Sequence, residues 1–331
     1  MLITVSENGW YCAQADVYID PWKPVPRALI THGHSDHARP GHQYYLCHVD
    51  TKPVLKARLG PEIVCETVQY NESKYINGVQ FSFHPAGHVL GSAQIRIEYK
   101  GEIWVITGDY KLLPDGFTPL FEPVKCHHFI TESTFALPIY KFKAPTLIFD
   151  ELVQWWQHNQ SQNLNTVVLC YSLGKAQAIL HHLRDHPNNI YLHGAVANLN
   201  DAFSENGYHF VGERISSDTN KESMKGALIL APPSAFGTPW MRKFGDYEVA
   251  MCSGWMQLRG QRRRLGVEKG FVYSDHCDFS SLNEAVQLSQ AENVYVTHGY
   301  ETQYVQWLRE QYHLNAQVMK TQHDNAEQED E

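Results

Sequence analysis

Ile30-Thr31-His32-Gly33-His34-Ser35-Asp36-His37 decides how this chain is read. It has the form H-x-H-x-D-H: three imidazoles and a carboxylate within six residues, directly after the apolar run Ala28-Leu29-Ile30. The run reads as the end of a strand, and Ala38-Arg39-Pro40-Gly41 then breaks regular structure. Side chains at a strand mouth stand on a rigid base and point into open space. Such spacing is that of metal ligands, but one segment cannot close a metal site. The other ligands must come from elsewhere in the chain.

Other strand ends supply candidates. Val79 to Phe83 alternates and gives way to His84-Pro85-Ala86-Gly87-His88. Gln94 to Tyr99 and Glu102 to Thr107 read as a hairpin across Lys100-Gly101, ending in Gly108-Asp109. Val294 to Thr297 is a strand ending in His298-Gly299. A dinuclear centre needs nitrogen and carboxylate ligands, with one oxygen ligand bridging ions ~3.5–4 Å apart. His32, His34 and His88 would hold one ion. Asp36, His37 and His298 would hold the other, with Asp109 as the bridge. A nitrogen-rich set without thiolate suits two zinc ions, with manganese as the alternative. A bridging water would be acidified toward neutrality and become the nucleophile. His84 stands near enough in sequence to line such a site. Gly33 and Gly87 suit close backbone approach beside the ligands.

Composition sets bounds on the rest. The chain has 331 residues and a net charge of −9. That charge argues against a protein coated by nucleic acid, so any such contact must be a local patch or be carried by bound cations. Histidine is unusually frequent at 19 residues, which fits metal or acid–base chemistry. Seven scattered cysteines with no C-x-x-C pair point to reduced, mostly buried thiols and a cytoplasmic location. There is no signal-peptide pattern at the first residues and no apolar run of about 18, so no membrane partner is expected. The polar, acidic stretch 321–331 is expected to be disordered.

The chain changes character near Pro145. Thr146 to His158 has helical spacing. Thr166 to Cys170 is an apolar strand followed by Ser172-Leu173-Gly174-Lys175 and a helix from Ala176 to Arg184, which makes an α/β unit. Ile190 to His193 and Ala227 to Ala231 read as further parallel strands. After Gly260 the first style returns, with a strand Phe271-Val272-Tyr273 and a helix starting near Ser281 capped by a box with Glu284. The expected organisation is α/β: a first domain at 1–144 and 256–320, interrupted by an inserted α/β domain at 145–255. Arg259-Gly260-Gln261-Arg262-Arg263-Arg264 is the densest basic cluster. Arg262, Arg263 and Arg264 would hold a phosphate backbone, or else form a solvated loop. Lys175, at a helix start after Gly174, would meet a phosphate.

Taken together, Ile30 to His37, Pro85-Ala86-Gly87-His88-Val89-Leu90-Gly91-Ser92 and Thr107-Gly108-Asp109-Tyr110 resemble the metallo-β-lactamase fold. More narrowly they resemble its nucleic-acid-processing β-CASP branch. Thr131-Glu132-Ser133-Thr134-Phe135, Ser274-Asp275-His276-Cys277-Asp278 and Val296-Thr297-His298-Gly299 resemble that branch's three additional motifs. Over the whole length, including Asp20-Pro21-Trp22, Leu173-Gly174-Lys175-Ala176-Gln177 and Ser253-Gly254-Trp255-Met256, the chain is similar to the bacterial DNA-ligase-associated exonucleases.

The resemblance implies an αββα sandwich with a β-CASP-like insertion and a two-zinc phosphodiesterase. It further implies a DNA exonuclease serving repair beside a DNA ligase and a helicase. By residue, it makes Asp20 the acid that orders the histidine loop. His276 would contact the scissile phosphate and protonate the leaving oxygen, and Glu132 would orient His276. Histidine in the third motif accompanies RNA substrates more often, so an RNA-processing nuclease of the polyadenylation-factor type is the alternative. An acyl hydrolase leaves Glu132, His276 and the insertion without a task. A nucleic-acid-binding subunit that had lost its metals would have eroded ligands, whereas all seven are present.

Overall fold

A computed structural model of the protein describes residues 1–186 and 189–320, and the acidic stretch 321–331 lies outside the described residues. In chain order the strands and helices are β1 (Thr4–Val5), β2 (Trp10–Cys12), β3 (Val17–Ile19), β4 (Arg27–Leu29), β5 (Tyr44–His48), α1 (Lys52–Leu59), β6 (Cys65–Val68), β7 (Ser73–Ile76), β8 (Val79–Pro85), β9 (Ala93–Tyr99), β10 (Glu102–Ile106) and β11 (His128–Ser133). Then come α2 (Pro145–Ser161), β12 (Asn165–Leu169), α3 (Lys175–His182), β13 (Ile190–Leu192), α4 (Gly194–Ser204), β14 (Glu213–Arg214), β15 (Leu228–Ala231), β16 (Tyr247–Cys252), α5 (Arg259–Leu265) and β17 (Lys269–Phe271). The chain closes with α6 (Phe279–Ser289), β18 (Asn293–Gly299), α7 (Glu301–Tyr312) and β19 (Asn315–Val318).

These elements form two compact units. The first holds residues 1–113, 118–141 and 276 onward; the second holds 114–117 and 142–275. In the first unit one sheet runs β1-β2-β3-β4-β5-β6 and another runs β19-β18-β11-β10-β9-β8-β7. Alternation sets the layers. Ile19, Leu29 and Leu46 from the first sheet meet Phe81, Ile95, Ile97 and Trp104 from the second in one buried cluster. The outer face of the first sheet packs Ala28, Tyr45 and Cys47 against Leu55 of α1. The outer face of the second packs Val105, Phe129 and Val294 against Leu282 and Val286 of α6 and Tyr304 and Leu308 of α7. The order is therefore helix, sheet, sheet, helix. Within the second sheet β10, β11, β18 and β19 are mutually parallel, so their carboxyl ends leave on the same side.

The second unit is a wholly parallel sheet in the order β14-β13-β15-β12-β16-β17. Successive residues of β12 point to opposite faces. Val168 packs with Ile148, Phe149 and Trp156 of α2 and with Ile179 of α3. Val167 and Leu169 face Met224, Met241 and Phe244 in short 3-10 segments. Burial on both faces explains the continuous apolar runs of its strands.

Three local expectations differ from the structure. The return from the insertion, expected at residue 256, comes at 276, because β17 continues the parallel sheet beside β16. That strand is Lys269–Phe271 rather than 271–273. Helix α6 starts two residues before Ser281. Its cap is the Asp278 carboxylate, which accepts a hydrogen bond from the Ser281 amide at 2.9 Å, and the nearer acid displaces the expected box with Glu284. All seven cysteines are free.

Candidate metal centre

The histidine segment leaves the end of β4 and is held from below by Asp20. This buried carboxylate accepts from the Thr31 amide at 2.8 Å and the Thr31 hydroxyl at 2.6 Å, and lies 2.8 Å from His37 Nδ1. The two oxygens of one acid thus fix the backbone at the mouth of β4 and one ring of the motif. Thr31 Oγ1 lies 3.1 Å from His32 Nδ1. The loop closes as a tight turn, with Ala38 N donating to His34 O at 2.8 Å. The Arg58 guanidinium of α1 donates to Gly33 O.

The second sheet delivers the remaining groups. After β8 the segment 86–92 folds back, and Ala93 N donates to Thr31 O at 2.9 Å. That bond joins the His88 loop to the histidine segment. Gly87 makes the turn with φ +78°, and a Cβ there would stand 2.2 Å from Lys111 O. Gly108, with φ +56°, lets the end of β10 pass Thr31, where a Cβ would meet Oγ1 at 2.6 Å. Asp109 follows it. Two residues of the site, Asp20 (φ +41°) and His298 (φ +52°), have left-handed backbone. That costs a non-glycine residue on the order of 1–3 kcal/mol and concentrates at functional sites.

Two groups of ligand-type atoms converge. In the first, His34 Nδ1 lies 3.1 Å from His32 Nε2 and 3.0 Å from His88 Nε2, and Asp109 Oδ2 lies 3.4 and 3.7 Å from those two Nε2 atoms. In the second, His37 Nε2 lies 3.6 Å from Asp36 Oδ2 and 3.5 Å from Asp109 Oδ2. Asp109 belongs to both. His298 stands beside the second group, with its ring centroid 5.5 Å from that of His37. It is not among the atoms that converge with Asp36, His37 and Asp109.

The donor set fits divalent cations. A tetrahedral site with zinc–nitrogen bonds of ~2.0–2.1 Å places neighbouring ligand atoms about 3.3 Å apart, near the spacings of the first group. His37 Nε2 is buried and has no hydrogen-bond partner among the described residues. Its other nitrogen faces Asp20, the arrangement by which an outer carboxylate fixes a ligating imidazole. The electrostatics select for positive charge. Burial opposes protonation of His37, but Asp109 and Asp36 hold its pKa well above the ordinary histidine value. Burial likewise opposes ionisation of Asp109, yet the charges of His37 and His276 keep its carboxyl well below the usual range.

A third constellation adjoins these. His276 Nδ1 lies 3.0 and 2.9 Å from the two oxygens of the buried Glu132 carboxylate. That carboxylate also accepts from the Tyr110 amide at 3.0 Å and the Thr134 hydroxyl at 2.5 Å. The ring of His276 lies 4.7 Å from that of His88, centroid to centroid, and Asp109, Glu132 and His276 also converge. Thr31, Tyr110 and Thr134 escape sequence reading as site residues. They act through backbone amides and side-chain hydroxyls, and only the hydroxyl of Thr134, two residues past an acid at a strand end, leaves a faint trace.

The basic residues divide. Arg262, Arg263 and Arg264, with Arg259, are exposed on α5, a helix rather than a loop. Lys175, expected to meet phosphate, does not face solvent. It is 2% exposed, and its Nζ lies 2.8 Å from Asp275 Oδ1. Lys175 opens α3 and is buried there together with Ala176 and Gln177. His84 pairs with Glu122 at 2.9 Å.

No family model matches the chain. A probable DNA ligase of Opitutus terrae is 27% identical over 309 residues, which are 92% of this chain and 30% of that protein. The endoribonuclease YSH1 of Saccharomyces cerevisiae is 33% identical over 118 residues, 35% of this chain and 15% of that protein. The chain thus spans under a third of the length of either relative. Among solved structures, a protein of unknown function from Enterococcus faecalis V583 has the same fold, with a TM-score of 0.61 at 12% identity over 89% of this chain and 79% of that one. No helix among the described residues is long and apolar enough to cross a membrane.

Proposed function

We propose that the chain is a metal-dependent phosphodiesterase of the metallo-β-lactamase fold, with a β-CASP-like insertion, that shortens DNA from an end. The observation that carries this reading is one place at strand ends where two His/Asp groups share Asp109 and adjoin the Glu132–His276 pair. His32, His34, His88 and Asp109 would hold one divalent ion. Asp36, His37 and Asp109 would hold the other, with His298 beside them. Two ions held there supply Lewis acidity toward phosphate oxygens and an acidified water.

The chain's own groups do the rest. Asp20 orients His37 and, through Thr31, the segment bearing His32 and His34. Glu132 takes both of its oxygens to His276 Nδ1, which fixes the ring and leaves Nε2 to meet a phosphate and pass a proton to the leaving oxygen. Four exposed arginines on α5 draw in a polyanion despite the chain's net charge of −9. The DNA reading is supported by a relative named a probable DNA ligase that contains a segment alignable with 92% of this chain. Joining ends and trimming them are tasks of one repair sequence, and a helicase would expose the strands. The second reading is RNA cleavage. It is favoured by the 33% identical segment in a protein named an endoribonuclease and by His298 in the third motif.

Two outcomes check parts of this account. Asp20→Asn should weaken metal affinity about 10–100-fold, as loss of an outer carboxylate partner does. Chelator competition measures this, and unchanged affinity would remove Asp20 from the assignment. Replacing Arg262, Arg263 and Arg264 with alanine should reduce the slope of log affinity against log salt by roughly 2–3, at ~0.7–0.9 per lost phosphate contact. An unchanged slope would make α5 a solvated helix.

The test of the function itself is hydrolysis of end-labelled DNA and RNA with and without chelator. Chelator-sensitive shortening of DNA is expected. Turnover indifferent to chelation would overturn the reading.

A further inference from the structure

Strand β18 carries one residue more than its neighbour β11 at the end that bears His298. Along β11 the register runs Thr131 to Val296 and Glu132 to Thr297, but Ser133 then meets Gly299. His298 is the extra residue of a β-bulge, and its left-handed φ of +52° makes the kink. Alternation shows what the bulge changes. Val294 and Val296 pack on the helical side of the sheet with Leu282 of α6 and Tyr304 of α7. In an unbroken strand residue 298 would share that side. Its ring instead lies 5.5 Å from that of His37, centroid to centroid, beside the histidine segment.

We propose that Ser133 is a positioning residue for His298: its hydroxyl holds the bulge that turns the imidazole toward Asp36, His37 and Asp109. Ser133 is fully buried. Its hydroxyl donates to Thr297 O at 3.1 Å and to His298 O, so one group ties the two peptide units that flank the His298 Cα. Those two units are what φ and ψ of residue 298 rotate. On the far side, Tyr300 N donates to Ser133 O at 3.0 Å and closes the bulge. Gly299 makes the close approach possible. It has φ +86°, and a Cβ there would stand 2.5 Å from Ser133 O and 2.6 Å from Thr134 Cα. A left-handed backbone is unfavourable for histidine and persists where its surroundings over-determine it. Ser133 supplies the hydrogen bonds that do so. The use of the ring at an ion rests on the function proposed above. The orientation of the ring does not.

The experiment titrates the full-length, zinc-loaded protein with a chelator and compares the wild type with Ser133→Ala, His298→Ala and the two combined. The wild type should release its two ions in two steps. In Ser133→Ala one step should weaken about 10–100-fold, as when the support of a ligating histidine is lost, with the other within about twofold. His298→Ala should weaken the same step at least as far. The combined variant should lose no more than His298→Ala alone, because Ser133 acts through that ring. A merely structural serine would lower the melting temperature and leave both steps unmoved. In a crystal structure of Ser133→Ala the His298 ring should have left His37. Should Ser133→Ala not fold, Ser133→Cys, which fills nearly the same space with a weak donor, is measured in its place.

A folded serine variant with both steps as in the wild type, equal weakening of both steps, or losses that add in the combined variant would overturn the proposal. If the wild type holds fewer than two ions, the two-ion reading of the proposed function fails. The separation of the His298 and His37 rings in wild-type and serine-variant crystals then still decides whether Ser133 positions the ring: a displaced ring supports the proposal, an unmoved ring overturns it.

Discussion

Asp109→Asn is expected to lower hydrolysis roughly 1,000-fold or more while the chain still folds. The magnitude follows from what one ligand oxygen does at a two-ion site, where charge stabilisation is worth several kcal/mol at 1.4 kcal/mol per decade. Asp109 Oδ2 lies 3.4 Å from His32, 3.5 Å from His37 and 3.7 Å from His88, so its charge serves both groups. Asparagine keeps the shape and removes the charge. The fold should survive because a buried carboxylate is itself costly to desolvate, and Asp109 packs at a strand end rather than within a core layer. Metal analysis should find fewer than two ions per chain. His34→Ala, which removes a nitrogen from the first group only, should lose hydrolysis in the same way. Turnover within about tenfold of wild type in both variants would sink the site assignment.

The second large effect concerns the neighbouring pair. Glu132→Gln and His276→Ala should each lower kcat about 100- to 10,000-fold, the range in which a positioned acid or base contributes. The two losses should not add, since Glu132 acts on His276 through bonds of 2.9 and 3.0 Å. Metal content distinguishes this from a ligand role. Asp109, Glu132 and His276 also lie close enough to hold an ion. If His276 works on the proton of the leaving group, metal content stays at the wild-type value in both variants. A fall of about one ion per chain in His276→Ala would instead make the ring a ligand.

How much of this was visible beforehand depended on how local each signal is. The H-x-H-x-D-H segment announces itself because four ligand-type residues fall within one turn of chain. The two-residue alternation of β8, β9 and β10 is equally local, and so is the apolar run of β12. His88 and Asp109 could be read from strand ends once the motif had raised the question. Other features depend on partners far away in sequence. Lys175 after Gly174 looks like a phosphate contact until Asp275, a hundred residues on, is found against it. The arginines of α5 read as holders of a phosphate backbone or else as a solvated loop, yet the segment is helical from Arg259 to Leu265. The strands β1, β2 and β6, of two, three and four residues, are too short for a period to register, although they make up half of one sheet. The capping carboxylate of α6 was hidden within a segment that already had another reading. His298 sits next to His37 but outside the atoms that converge with Asp36 and Asp109. Residue type marked its neighbourhood without fixing its geometry.

The central claim is that the shared His/Asp site hydrolyses nucleic acid, DNA above all. Its most direct test is a single time course with zinc or manganese on single-stranded DNA, duplex DNA and RNA of one sequence, labelled at either end, with a chelated control. The account predicts that DNA shortens progressively from one end and that chelation stops it. Cleavage of RNA with DNA left intact would contradict the DNA reading and move the function to RNA processing. No cleavage of any of the three with metal bound would contradict the central claim itself.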